Sequence, residues 1–175
     1  VTLPSVGAAG SAELAEVRKV YPFPFAEQMR GRTDWQFNLQ NDAGVYGWTV
    51  ESTLRGIAID LPAPLGKRAE QSLPMRLERQ AVDRTHDRLA ARFGNLGQFE
   101  AMRLLSDKAA EVQRLAFSFG RAPARADRDG FWIRGEVDAL ELDPWLVLAG
   151  RVGGEMAAGA AGAPDLRLAG IDLQA

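Results

Sequence analysis

The stretch Gln98-Phe99-Glu100-Ala101-Met102-Arg103-Leu104-Leu105-Ser106-Asp107-Lys108-Ala109-Ala110-Glu111-Val112-Gln113-Arg114-Leu115-Ala116-Phe117-Ser118-Phe119 decides the fold. Its Ala, Glu, Leu, Met and Arg content favours helix on propensity, and one helix is the competing reading. Yet Leu115, Phe117 and Phe119 alternate with Arg114, Ala116 and Ser118, which is the period of a strand with one apolar face. The alternation predicts two strands, 98–105 and 111–119, joined by a turn near Ser106 to Ala109.

The same period runs outward in both directions. Trp35, Phe37 and Leu39 alternate with Gln36, Asn38 and Gln40; a turn at Asn41 to Gly44 and a run from Val45 to Val50 complete a hairpin. Thr53 to Leu61 carries Ile57, Ile59 and Leu61 on its odd positions. Leu73, Met75 and Leu77 form one further set, and Leu89, Ala91 and Phe93 another. Phe131, Ile133, Val137 and Ala139 oppose Arg134, Glu136 and Asp138. Two short helices are expected. One runs from Ser11 to Val20 with Ser11 as its N-cap, and the other from Pro144 to Val152 behind the cap Asp143. The expected fold is mainly β: a curved antiparallel sheet, groove-forming and repeat-like, with one or two short helices. Its parts are an N-terminal helix and linker over 1–34, a sheet slab with its closing helix over 35–152, a Gly/Ala-rich loop over 153–164 and the start of a further strand over 165–175.

Composition narrows the chemistry. The 175 residues hold 21 Lys plus Arg against 23 Asp plus Glu, so no surplus of cations exists to neutralise nucleic-acid phosphates. With Cys 0 and His 1, disulfides, thiol nucleophiles, Cys-ligated zinc and multi-histidine sites are excluded. Asp83, His86 and Asp87 read as a solvated turn rather than a metal site, and no Gly-x-Ser-x-Gly elbow exists to use His86 in a triad. The glycines of Gly44 to Gly47 and Gly94 to Gly97 match no phosphate cradle, and Gly66-Lys67 is followed by Arg68 instead of Ser or Thr. Asp138 and Glu141 read as the wet side of a strand, and Arg121, Arg125 and Arg128 as a mixed-charge loop with Asp127 and Asp129. Trp35, Trp48, Trp132 and Trp145 suit packing better than a sugar platform. No catalytic residue, metal or cofactor is expected. The apolar stripes remain, and they read either as a closed sandwich or barrel core or as an open sheet whose apolar face takes acyl chains.

One segment is unusual enough to carry a resemblance. Thr53-Leu54-Arg55-Gly56-Ile57-Ala58-Ile59-Asp60-Leu61-Pro62-Ala63-Pro64-Leu65-Gly66-Lys67-Arg68-Ala69 resembles a signature of the YhdP branch of the AsmA-like envelope proteins. Phe117 to Gly120 and Gly130 to Trp145 are similar to the family's later strands. Within the motif Asp60 is expected to end a strand at water, and Pro62 and Pro64 to stop further pairing. Gly66 would turn the chain and Lys67 would keep the tip solvated, with Gly56, Leu61 and Leu65 completing a structural pattern. The resemblance implies an internal piece of a large, non-enzymatic lipid-transport protein. Its parent would be anchored in the inner membrane of a Gram-negative bacterium and would extend through the periplasm. Its partners would be phospholipid acyl chains and neighbouring segments of the same parent, not nucleic acid. Ile57, Ile59, Leu115, Phe117, Phe119, Phe131, Ile133 and Val137 are then the candidates to line an apolar groove. The alternative is a carbohydrate-binding or purely structural β-sandwich module.

Overall fold

A computed structural model describes residues 6–20, 26–42, 45–107, 110–136, 143–144, 147 and 168–174. The elements in chain order are β1 (Val6–Glu13), α1 (Leu14–Val20), a 3-10 turn (Ala26–Gln28), β2 (Met29–Asp42), β3 (Val45–Ser52) and β4 (Ile57–Ile59). They continue with β5 (Met75–Ala81), β6 (His86–Phe93), β7 (Gly97–Leu105), β8 (Ala110–Phe119), β9 (Gly130–Glu136) and β10 (Leu168–Gln174). The deciding stretch is therefore two strands, and the fold is mainly β.

Among the described residues the strands form one open, mixed sheet in the order β1-β2-β3-β5-β6-β7-β8-β9-β10, with β4 pairing β2 off this path. From β1 to β8 every neighbouring pair is antiparallel. The β8–β9 and β9–β10 pairs are parallel. A parallel neighbour needs a connection that crosses the sheet. Residues 120–129 supply the first one: Ala124 and Ala126 pack on Ala116 and Met102, and the Ala126 amide donates to Glu100 Oε1 at 3.0 Å.

The N-terminal expectation is corrected. The sheet begins at Val6, and the helix starts at Leu14 instead of Ser11. Gly7, Ala8, Ala9 and Gly10 have weak strand propensity, but pairing with the long β2 overrides it. Ser11 lies opposite Asp34 and accepts a hydrogen bond from Arg32 Nε instead of capping a helix. Val137, Asp138, Glu141, Trp145, the loop 153–164 and most of the helix expected over 144–152 lie outside the described residues.

Residues 53–74 leave the sheet between β3 and β5, which nonetheless pair directly, Ser52 opposite Met75. The excursion folds back at one end of the sheet. Ile59 and Lys67 exchange backbone hydrogen bonds of 2.8 and 2.9 Å, Gly56 N–H reaches Ala69 O at 2.7 Å, and Asp60 N–H reaches Gln28 O at 2.7 Å. Leu54, Ile57 and Ile59 form a sealed cluster against Leu14, Met29, Leu61, Leu73, Met75 and Phe93. Lys67 is not a solvated tip: its Nζ turns inward to the carbonyls of Ile57, Arg68 and Gln71 at 2.6, 2.9 and 2.8 Å. Burial lowers its pKa, and Glu70 partly restores it. The proline-rich stretch thus retains a ladder bridge because Lys67, beyond the last proline, has a free N–H to give.

Gly56 (φ 94°) and Gly31 (φ 115°) let β2 and the motif touch backbone to backbone; a Cβ on Gly56 would collide with the Arg32 carbonyl. Gly56→Ala is therefore expected to lower the melting temperature at least as much as Ile57→Ala, a truncation of a fully buried side chain costing about 2–5 kcal/mol. The neighbouring exposed Arg55→Ala should leave the stability within about 0.5 kcal/mol of the parent's, as thermal unfolding would record.

Candidate functional site

Directly opposed residues share a face of a sheet, so the register assigns sides. One row runs Ala8, Phe37, Val50, Leu77, Ala91, Phe99, Phe117, Ile133, a single apolar residue from each strand of the path from β1 to β9. At about 4.8 Å per strand its seven steps span about 34 Å. A parallel row beside it runs Val6, Leu39, Trp48, Arg79, Leu89, Ala101, Leu115, Phe131, interrupted only by Arg79. Phe37, Val50, Leu77, Phe99, Leu115, Phe117, Phe131 and Ile133 are half-buried, not sealed. Phe37 and Trp48 meet at 6.4 Å between ring centroids, and Phe117 and Phe119 edge to face at 4.9 Å.

The opposite face is polar and closed upon itself. Glu51, Arg76, Glu78, Arg88 and Glu100 form an ion ladder across β3, β5, β6 and β7, with contacts from 2.6 to 3.4 Å. The 120–129 crossover lies on this side, where Gln98 Nε2 donates to Arg121 O at 3.2 Å. Among the described residues the apolar rows have no second layer; the motif unit covers only the end near Ser52, Met75 and Phe93.

The expected groove residues separate into two places. Leu115, Phe117, Phe119, Phe131 and Ile133 come together on the apolar face, Phe119 the most buried of them. Ile57 is 1% exposed and Ile59 also buried, so both belong to the sealed cluster and stand apart from the half-exposed rows. Phe37, Val50, Leu77 and Phe99 were not among the candidates; only the pairing register reveals that they continue the row.

The other candidates resolve into structural roles. Asp83 is a turn carboxylate, accepting from the amides of Thr85 and His86 at 2.7 and 2.8 Å and from Thr85 Oγ1, which pulls its pKa down to about 2. Asp87 points elsewhere and meets arginines. Trp132 is engaged on the polar side, its Nε1 donating to Asp129 O at 3.1 Å and its ring carrying the guanidiniums of Arg128 and Arg134 at 5.1 and 5.7 Å. Gly170 lies so close to this ring that a Cβ would overlap it. Such a ring is poorly placed to stack on a sugar.

Within the paired strands β1 to β9, the register puts only three charged residues on the apolar face: Arg79, Asp87 and Arg103. Asp87 has 0% side-chain exposure. Arg103 holds it in a fork, Nε to Oδ1 at 2.9 Å and a terminal nitrogen to Oδ2 at 2.7 Å, while Arg79 Nε reaches Oδ2 at 2.5 Å. Burial pushes the Asp87 carboxyl up, and the hydrogen bonds and charges of Arg103 and Arg79 together outweigh it, leaving it below the usual range.

The profile of the YhdP protein family matches residues 3–175, and the chain belongs to that family. No curated protein and no solved structure matches the chain significantly. Among the described residues no helix is long and apolar enough to cross a membrane.

Since the folded pKa of Asp87 lies below its unfolded value of about 4, its contribution is fully present above that value and is lost as pH falls through the folded pKa. Melting temperature measured from pH 6 to pH 2 should fall more steeply for the parent than for Asp87→Asn, with the two curves converging at the acid end.

Proposed function

We propose that this chain is a segment of a non-enzymatic envelope protein that guides phospholipid acyl chains along the apolar face of its sheet, between the inner and outer membranes. Family membership supports an envelope role, and with it a periplasmic location in a parent anchored in the inner membrane. The observation that carries the reading is the unbroken row from Phe37 to Ile133, half-exposed except at the small Ala91, on a sheet whose described crossover, 120–129, is laid over the polar side. A globular sandwich would put its covering segment on the greasy side, because burial there is worth about 25 cal/mol per Å². Here that gain is left for a guest: every methylene of an acyl chain laid on the row leaves water at about 0.8 kcal/mol. Strands crossing the direction of travel suit this task. Each supplies one anchor, and a chain sliding past meets no polar gap along the row.

Charge on the row separates this reading from a closed core. Ile133→Asp and Phe117→Asp are expected to reduce uptake of a fluorescent phospholipid from vesicles by about tenfold, equivalent to about 1.4 kcal/mol. They should disturb stability far less than Ile57→Asp, which buries an unpaired carboxylate at a cost of several kcal/mol. Uptake that is unchanged in both variants, measured alongside thermal unfolding, would overturn the proposal.

A further inference from the structure

We infer that Arg79, seated on Asp87 at the margin of the apolar rows, is a recognition site for the phosphate of a lipid headgroup. The inference rests on the acyl-guiding reading and adds to it a polar end. A charged group on an apolar face is costly unless something compensates it. Asp87 needs one cation, and Arg103 already meets both of its oxygens in a fork. Arg79 is surplus to that pair. It spends only its Nε on Asp87, so among the described residues its two terminal nitrogens have no hydrogen-bond partner, and its side chain is 24% exposed. The trio carries a net positive charge and stands where β5 ends, β6 begins and β7 ends, at the opposite end of the strands from the motif unit.

The fork geometry suits a two-oxygen anion, and the apolar rows beside it favour the phosphate diester of a lipid over a free carboxylate. Asp87 fixes the guanidinium plane through one edge, and the remaining fork presents two parallel N–H groups, the arrangement that grips two phosphate oxygens. Trp48 and Leu89 flank Arg79 in its own row, so a headgroup held here keeps its acyl chains directly on the apolar rows. The rim of the sheet is the place where a headgroup can stay wet while its tails do not. Shared greasy contact alone would not tell a phospholipid from an uncharged diglyceride; Arg79 supplies the difference.

The test uses the full chain and two probes with identical labelled acyl chains, phosphatidylglycerol and diacylglycerol, offered in vesicles of phosphatidylcholine. The parent should retain phosphatidylglycerol about tenfold better, the worth of one charge-assisted fork at about 1.4 kcal/mol. Arg79→Gln, which keeps the Arg103–Asp87 fork and so the fold, should erase that preference while leaving diacylglycerol uptake unchanged. Equal retention of the two lipids by the parent, or an undiminished preference in Arg79→Gln, would overturn the headgroup site while leaving the acyl-guiding reading intact. Failure to take up either lipid would instead remove the reading on which it rests. Inorganic phosphate displacing the labelled lipid at equal concentration would show a free-anion site and overturn the lipid assignment.

Discussion

Everything on the apolar side depends on register. A strand places successive side chains on opposite faces, so a slip of one residue in any ladder would send that strand's contribution to the wrong side. The row from Ala8 to Ile133 therefore requires seven consecutive pairings to hold their alignment. Several features pin them. The ion ladder from Glu51 to Glu100 reaches across four strands on the polar face, and although surface pairs are individually weak, a slip would break all of them together. Asp87 does the same from the other face, since only one alignment of β5, β6 and β7 brings both arginines to it. Gly135, whose added Cβ would lie 2.7 Å from the Phe119 amide, allows β8 and β9 to meet closely beside Phe119.

The two faces are treated in opposite ways, and that asymmetry is the functional argument. Ala116, Ser118, Ala124 and Ala126 are small and sealed on the polar side, where the crossover lies flat on the strands. On the other side Phe37, Leu77, Phe99, Leu115, Phe117 and Ile133 remain half-exposed, with Phe119 buried among them. Protein interiors ordinarily hide the larger apolar residues first. The motif unit is the exception that marks the limit of the open face: its Leu54, Ile57 and Ile59 build a buried cluster of large apolar side chains and close one end.

Much of the sheet was legible in the sequence because its strands obey a period of two almost without interruption. The stretch from Gln98 to Phe119 is a case where pattern outweighed propensity: helix-favouring residues yielded to the pairing of Phe99 with Phe117 and Ala101 with Leu115. What escaped was non-local. β1 has almost no strand character of its own and exists because β2 is long enough to template it. The parallel arrangement of β9 and β10 leaves no trace in side-chain alternation, which is the same in both orientations. Ile57 and Ile59 alternate as neatly as Phe117 and Phe119, and periodicity does not say whether such a stripe meets a groove or a cluster. The contacts of Lys67 and Arg79 were equally hidden, since each depends on how the intervening turn brings its partner back, not on the alternation of its own strand.

The direct pairing of β3 with β5 beneath residues 53–74 makes that excursion a side branch of the sheet. No ladder hydrogen bond between β3 and β5 passes through it, so the branch can change length beyond its contacts with β2 while the β3–β5 pairing stays aligned. Sequence change there can alter how one end of the apolar face is closed without disturbing the alignment of the strands beneath.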